Sequence, residues 1–387
     1  IHAKIYVQMH KKSFDSFDRA AFLTQYIHPL LNRITAYQND NHIPYTTSPP
    51  RAINSHAATL FDVDAFDRNF YKPSYAAEQS EELISLGQKL FNDRALSLNN
   101  KGSCATCHDP SKAFTDGLPK NQSLFAEKSL LRNTPTLINS GLQPVQFYDS
   151  RLPFLEDQVH AVISSPDEMG SYFSQIVDRL AANKEYRKEF QKKFKDKKVS
   201  ETNIKMAIAA YVRSLIALNS PFDRYMRGEE QAINADAVAG FNLFMGKAKC
   251  GTCHFMPLFN GSVPPLYSKL ESEVLGVPES NLPQAKLDTD PGKGAVYGIP
   301  HQLRQFKTTS VRNAALTAPY MHNGVFKTLE EVIEFYDTGG GIGRGLEVEN
   351  QTLPSDSLHL SSLEKKQLVI FIQTLTDTAT TSIKTEL

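Results

Sequence analysis

The sequence predicts a mainly α-helical protein that consists of two related halves behind an N-terminal helical extension. Apolar residues recur at helical spacing in several long segments, whereas patterns typical of strands are few. Residues 86–91 (LGQKLF) are similar to residues 239–244 (AGFNLF), and each stretch precedes a pentapeptide with the same cysteine spacing. Such self-similarity favours an internal duplication.

The composition narrows the class of protein. The 387 residues include 42 basic and 42 acidic side chains, so the net charge is zero, which argues against a nucleic-acid partner. No apolar run reaches the roughly 18 residues that a transmembrane segment needs. Because the sequence begins with Ile1 rather than Met, we expect that a leader or lipid anchor has been removed.

Residues 1–78 are expected to form the helical extension. The apolar positions within residues 14–34 follow helical spacing, although Pro29 should kink or split that helix. A polar connector at residues 39–50 and a break at Pro73 follow. The function of this segment cannot be inferred from its residues.

The remaining helices are expected at residues 81–92, 173–194, 203–218, 235–245 and 363–375. The first of these leads into one cysteine-containing pentapeptide and the fourth leads into the other. A Lys-rich stretch at residues 192–198 is interpreted as a solvated helix end. We therefore expect one domain at residues 79–231 and a second at residues 232–387.

All four cysteines lie in two CxxCH pentapeptides. In c-type haem attachment the two thiols bind the haem vinyl groups, and the adjacent His ligates the iron. The predicted haem-binding residues are Cys104, Cys107, His108, Cys250, Cys253 and His254. A redox-active CxxC pair, a zinc site or a disulfide is the alternative for one copy, but two copies favour two covalent haems. Because such attachment occurs outside the bacterial cytoplasm, we expect a periplasmic location, or a periplasm-facing membrane anchor.

From Leu86 onward the sequence resembles the bacterial di-haem cytochrome c peroxidase and MauG family. The matching stretches are residues 131–136 (LRNTPT), 147–151 (FYDSR), 166–169 (PDEM), 307–313 (KTTSVRN), 316–320 (LTAPY) and 328–331 (TLEE). The resemblance implies two cytochrome c-like haem domains related by internal duplication. It also implies that peroxide reacts at the first haem and that the second haem stores or relays an oxidising equivalent.

The resemblance implies an accessible first haem. Many family peroxidases have a blocking His before the Arg-Asn motif, but residues 109–132 contain no His, and Phe125 takes the approximate position. By family position, Glu168 moves the peroxide proton, with Gln158 as its partner in the distal pocket. Taken alone, a Glu after Pro166 and Asp167 is more often a charge at a helix N-terminus.

The resemblance also suggests the second haem's sixth ligand. Ordinary peroxidases have a Met in the helix after residues 328–331, whereas MauG-type proteins have a Tyr, and the corresponding residue here is Tyr336. An anionic Tyr oxygen should lower the potential of the iron. Met321 and His322 are rival ligands, and a Tyr packed at a helix end is the default for any single Tyr.

A calcium ion between the haems is a further family feature. The matching ligands are the Asn133 side chain and the backbone carbonyls of Thr317 and Pro319, all of which are oxygen donors.

Three positions depart from the family pattern. Tyr148 replaces a Trp that mediates electron or hole transfer in the family, and a Tyr must lose a proton when it is oxidised. A purely structural role for Tyr148 is nearly as well supported. Thr309 and Val162 replace prolines.

The predicted function is that of a peroxidase-like or MauG-like oxidoreductase. It would reduce hydrogen peroxide and oxidise a donor, either a redox protein or a protein side chain. The alternatives are a di-haem electron-transfer protein without peroxide chemistry, in which both irons are six-coordinate, and a peroxide sensor.

Overall fold

The computed structural model describes residues 13–46 and 48–378. It is mainly helical, which confirms the predicted fold class. The helices are α1 (Arg19–Phe22), α2 (His28–Asp40), α3 (Glu81–Asn92), α4 (Cys104–Cys107), α5 (Leu155–Ser164), α6 (Phe173–Ala182), α7 (Lys184–Lys193), α8 (Glu201–Ser214), α9 (Pro221–Met226), α10 (Ala235–Phe244), α11 (Lys293–Tyr297), α12 (Leu329–Asp337), α13 (Gly340–Gly343) and α14 (Ser362–Thr374). The described residues form one regular sheet, in which β1 (Ser272–Glu273) pairs antiparallel with β2 (Phe306–Lys307).

The chain divides into two compact units. The first-haem unit holds Tyr71–Ile216 and Pro319–Gly324, and it contains the first CxxCH pentapeptide. The second-haem unit holds the described residues up to Phe70, Ala217–Ala318 and the stretch from Val325 onward, and it contains the second pentapeptide. The predicted domain boundaries after residues 78 and 231 remain a prediction.

A glycine lies at the main helix contact of each unit. In the first-haem unit α3 crosses α8, and a Cβ atom on Gly87 would lie 1.9 Å from the backbone oxygen of Ala207. In the second-haem unit α10 crosses α14, and a Cβ atom on Gly240 would lie 2.0 Å from the backbone oxygen of Gln367. The repeated sequence motif therefore contains the residue that lets two helices approach closely.

Most predicted helices are confirmed. Helix α3 has the predicted bounds, and α10 and α14 end within one residue of them. The predicted helix at 203–218 is α8, which ends four residues earlier, at Ser214. The segment 173–194 is two helices, so the prediction of one was wrong. The break lies at Asn183, whose side chain accepts hydrogen bonds from the first backbone N–H groups of α7 and so begins a new helix.

The N-terminal segment packs on the second-haem unit. A π-helical turn, Leu23–Ile27, separates α1 from α2, and Pro29 lies in the first turn of α2, where its missing N–H costs no hydrogen bond. The backbone N–H groups of Arg19 and Ala20 donate to Asn242 Oδ1 on α10 at 2.8 and 3.1 Å. Within the described residues, no helix is both long and apolar enough to cross a membrane.

Candidate functional site

The first CxxCH pentapeptide forms the short helix α4 and the residue after it. Ser103 caps α4, and His108 ends it. The His108 Nδ1 atom lies 3.0 Å from the backbone oxygen of Phe114, to which it donates a hydrogen bond that orients the ring. Burial lowers the pKa of His108, which keeps the imidazole neutral, as a metal ligand must be.

A cavity of about 350 Å³ adjoins this pentapeptide. Cys104, Cys107 and His108 contribute to its wall, and so do Gln158 and Glu168, the residues predicted to handle peroxide. The structure thus brings together the predicted haem-binding and catalytic residues of the first site. Their roles remain predictions.

Helix α5 and the turn after it supply the polar wall of the cavity. Gln158 lies on α5, and Glu168 lies in a turn in which its N–H donates to the backbone oxygen of Ser165 at 3.1 Å. Burial raises the pKa of Glu168, although a hydrogen bond from Ser165 and the charge of Arg151 oppose the rise. A carboxyl group with a raised pKa inside a cavity is suited to accepting and returning a proton at neutral pH.

Residues 109–132, the segment without histidine, contribute the apolar side chains of Leu124, Leu130 and Leu131 to the same cavity. Phe125 packs against the turn that carries Glu168: a Cβ atom on Gly170 would lie 2.9 Å from Phe125 Cε2. The Lys101 ammonium lies 5.6 Å from the centre of the same ring.

Two arginines that sequence reasoning left without a role also line the cavity. Arg132 Nη1 and Arg151 Nη1 both donate to Asp149 Oδ2, at 2.6 and 2.7 Å. The Arg151 guanidinium also lies 3.6 Å from the centre of the Phe147 ring. These residues belong to the motif stretches that carry the family resemblance, but the motif alone did not show that they share one carboxylate.

Tyr148 lines the cavity as well, and its hydroxyl donates to Asn133 Oδ1 at 3.2 Å. Burial raises the pKa of Tyr148. Asn133 is buried, and its side-chain N–H donates to the backbone oxygen of Leu118 at 2.8 Å. Of the predicted calcium ligands, Asn133 and Pro319 lie in the first-haem unit and Thr317 lies in the second-haem unit.

The second CxxCH pentapeptide repeats the arrangement of the first. His254 Nδ1 lies 3.2 Å from the backbone oxygen of Phe259, and this hydrogen bond again orients the ring. Burial lowers the pKa of His254 to about 4. All four cysteines of the two pentapeptides are free thiols, which leaves them available for thioether bonds. Both pentapeptides therefore fit covalent haem.

Tyr336 lies on α12, close to the second pair of cysteines. Burial raises the pKa of Tyr336, and Cys250, Cys253 and Glu273 add to the rise. The rival Met321 belongs to the first-haem unit. Sequence reasoning missed Glu273, whose Oε1 atom lies 3.7 Å from Cys253 Sγ, because a Glu in a two-residue strand carries no motif.

Comparison with known proteins identifies the class to which these sites belong. The family described as "Di-haem cytochrome c peroxidase" matches residues 81–231. The methylamine utilization protein MauG of Methylorubrum extorquens is 32% identical over 336 residues, which cover 85% of this chain and 90% of that protein. The cytochrome-c peroxidase IdrP2 of Denitromonas iodatirespirans is 33% identical over 309 residues, which cover 76% of this chain and 81% of that protein.

A solved structure agrees with these relatives. The crystal structure of a MauG-like protein associated with microbial copper homeostasis has a TM-score of 0.69 and 28% identity, and the match covers 80% of this chain and 95% of that chain. The fold and the two CxxCH sites thus define a di-haem c-type oxidoreductase. The chain belongs to the di-haem cytochrome c peroxidase and MauG family.

Proposed function

We propose that the protein reduces hydrogen peroxide at a haem held by Cys104, Cys107 and His108 and oxidises a donor through a second haem. The observation that carries this proposal is the cavity of about 350 Å³ in which these residues share a wall with Gln158 and Glu168. A cavity that joined the haem-binding residues to apolar side chains alone would instead favour electron transfer without peroxide chemistry.

When bound, the first haem supplies the iron at which the peroxide O–O bond is reduced, and two electrons and two protons convert hydrogen peroxide to two waters. The chain supplies the proton handling. Glu168 accepts a proton from one peroxide oxygen and returns it to the other, which leaves as water. The raised pKa of Glu168 suits both steps, and Gln158 orients the peroxide by hydrogen bonding.

We further propose that the first haem is permanently accessible to peroxide. Residues 109–132 contain no His, and the Phe125 ring packs on Gly170. The supporting argument is that this segment has no imidazole that could ligate an iron and that its Phe125 side chain is held against Gly170.

At the second haem, we propose His254 and Tyr336 as the two axial ligands. Both cysteines of the second pentapeptide raise the pKa of Tyr336, so this side chain lies close to them. That position supports a role for Tyr336 beside the second haem. An anionic Tyr ligand stabilises oxidised iron, so the second haem would store an oxidising equivalent at a low potential. Met321 and His322 remain the alternatives.

The calcium ion, the relay and the donor are further parts of the proposal. Asn133 Oδ1 and the backbone oxygens of Thr317 and Pro319 would hold Ca²⁺. Tyr148 would carry charge between the haems, provided that its hydroxyl proton can leave when the ring is oxidised. The donor would be a redox protein or a protein side chain, in the periplasm or at a periplasm-facing membrane anchor.

The test is the spectroscopy of the ferric holoprotein combined with peroxide turnover. We expect one high-spin haem and one low-spin haem in the electron paramagnetic resonance spectrum, and turnover of peroxide with an artificial donor. Two low-spin haems would instead indicate an electron-transfer protein. A high-spin haem without turnover would indicate a peroxide sensor.

A further inference from the structure

We propose that a close backbone crossing between Gly276 and Gly341 sets the position of Tyr336 in the second haem site. This inference rests on the proposed role of Tyr336 as an axial ligand. The crossing joins two segments of the second-haem unit. One follows β1 and the other follows α12, the helix that carries Tyr336.

The two backbones touch so closely that no side chain fits between them. A Cβ atom on Gly341 would lie 2.4 Å from the backbone oxygen of Gly276 and 2.7 Å from its Cα atom. A Cβ atom on Gly276 would lie 2.8 Å from the Cα atom of Gly341, and Gly276 also has a φ angle of +70°. Glycine is required at Gly276 by conformation and at both positions by contact.

Hydrogen bonds hold the crossing in register. The Gly341 N–H donates to the backbone oxygen of Leu275 at 2.9 Å. The side chain of Gln351 spans the loop, because its Oε1 atom accepts from the Ile342 N–H at 2.9 Å and its Nε2 atom donates to the backbone oxygen of Gly339 at 3.0 Å. The start of α13, the short helix that follows α12, is therefore fixed by backbone and side-chain contacts together.

Each segment at the crossing carries a residue of the second haem site. Tyr336 lies five residues before Gly341, and Glu273, which contacts Cys253, lies three residues before Gly276. The crossing thus ties the segment beside the haem-binding cysteine to the end of the helix that bears the Tyr. Metal–ligand distances tolerate only about 0.2 Å, so a displacement at the crossing should reach the ligand.

The test replaces Gly341 in the holoprotein and observes the second haem by electron paramagnetic resonance and visible spectroscopy. Gly341→Ala forces the backbone at residue 341 away from Gly276. Because a support shifted by about an ångström loosens a ligand site, we expect the signal of the second haem with Tyr336 bound to fall by about half or more. The first-haem signal should not change, which shows that the protein is folded. The matched control is Glu347→Ala, which truncates an exposed side chain six residues after Gly341 and leaves every glycine in place.

Two further variants keep the inference falsifiable. Gln351→Ala removes the side chain that spans the loop without adding any atom, so it should weaken the same signal even if Gly341→Ala does not fold. Tyr336→Phe tests the ligand itself. If Tyr336→Phe leaves the second-haem spectrum unchanged, the ligand assignment fails and this inference fails with it. If Tyr336→Phe changes the spectrum but Gln351→Ala and a folded Gly341→Ala do not, or if Glu347→Ala has an equal effect, the positioning role alone is refuted.

Discussion

The proposed proton transfer by Glu168 makes a quantitative prediction for Glu168→Gln. The amide keeps the size and one oxygen of the carboxyl group but cannot accept a proton. General acid–base catalysis by a positioned side chain contributes roughly 10²–10⁴-fold, so we expect the rate of peroxide cleavage to fall by that factor. Peroxide binding should change much less, because the cavity walls stay in place.

The pKa of Glu168 determines how the reaction depends on pH. Because the carboxylate must be ionised to accept the proton, the rate should rise as the pH rises through the pKa of Glu168, which burial holds above its usual value. The charge of Arg151 opposes that rise. Arg151→Ala should therefore shift the rising limb of the profile to higher pH. The Arg151 side chain is 36% exposed and solvent screens its charge, so the shift should be smaller than for a buried pair.

The assay is the single-turnover reaction of the ferric holoprotein with peroxide, followed by stopped-flow spectroscopy over a pH range that extends from acid to mildly alkaline solution. Asp167→Asn is the matched control, because Asp167 is the adjacent acid and pairs with Lys128 at 2.9 Å. Because the Asp167 charge also raises the pKa of Glu168, the comparison is made on the plateau of the pH profile. There Asp167→Asn should leave the rate within about threefold of the original, since exposed ion pairs contribute about 0–1 kcal/mol. An unchanged rate in Glu168→Gln, or an equal loss in Asp167→Asn, would refute a catalytic role for Glu168.

Three further predictions concern the fold and the access to the first haem. Gly240→Ala should lower the free energy of unfolding by about 1–3 kcal/mol, because the new methyl group overlaps the backbone of α14; thermal unfolding of the variant and the original protein checks this. Arg213→Met should lower the free energy of unfolding, measured by chemical denaturation, by about 3–5 kcal/mol, because it leaves the fully buried Glu156 without its ion-pair partner. A loss below about 1 kcal/mol would contradict this role of the ion pair. Phe125→His should leave the first haem high-spin, because this side chain packs on Gly170; a low-spin first haem would show that position 125 can reach the iron.

The helices were predictable where a single periodic pattern coincided with a capping residue. Ser80 accepts a hydrogen bond from the N–H of Leu83 and begins α3 at the predicted residue. The break at Asn183 was missed because the residues on each side have helical apolar spacing of their own, Phe173, Ile176 and Leu180 before it and Tyr186, Phe190 and Phe194 after it. The two helices are separated at Asn183, whose side chain caps the first turn of α7.

The candidate site was predictable in its covalent chemistry and less so in its surroundings. The CxxCH spacing identified both haem-binding pentapeptides from the residues alone, and the resemblance selected Gln158 and Glu168, which the fold brings to one cavity. The contact of Arg132 with Asp149 and the crossing of Gly276 with Gly341 join residues that are separated in sequence. No local pattern encodes such contacts, so they emerge only from the tertiary structure.

The two haem sites share the same backbone arrangement, here called the scaffold, and differ in the ionisable side chain that lies beside it. Each has a glycine at a helix crossing, and each orients its histidine by a hydrogen bond from Nδ1 to a backbone oxygen. The first scaffold is lined by Glu168, a buried carboxyl group that can exchange a proton with a small substrate. The second is accompanied by Tyr336, a group that binds oxidised iron when it loses its proton. Duplication of the scaffold therefore explains how both haems are held, and divergence of these two side chains explains why we assign substrate chemistry to one and storage of oxidising equivalents to the other.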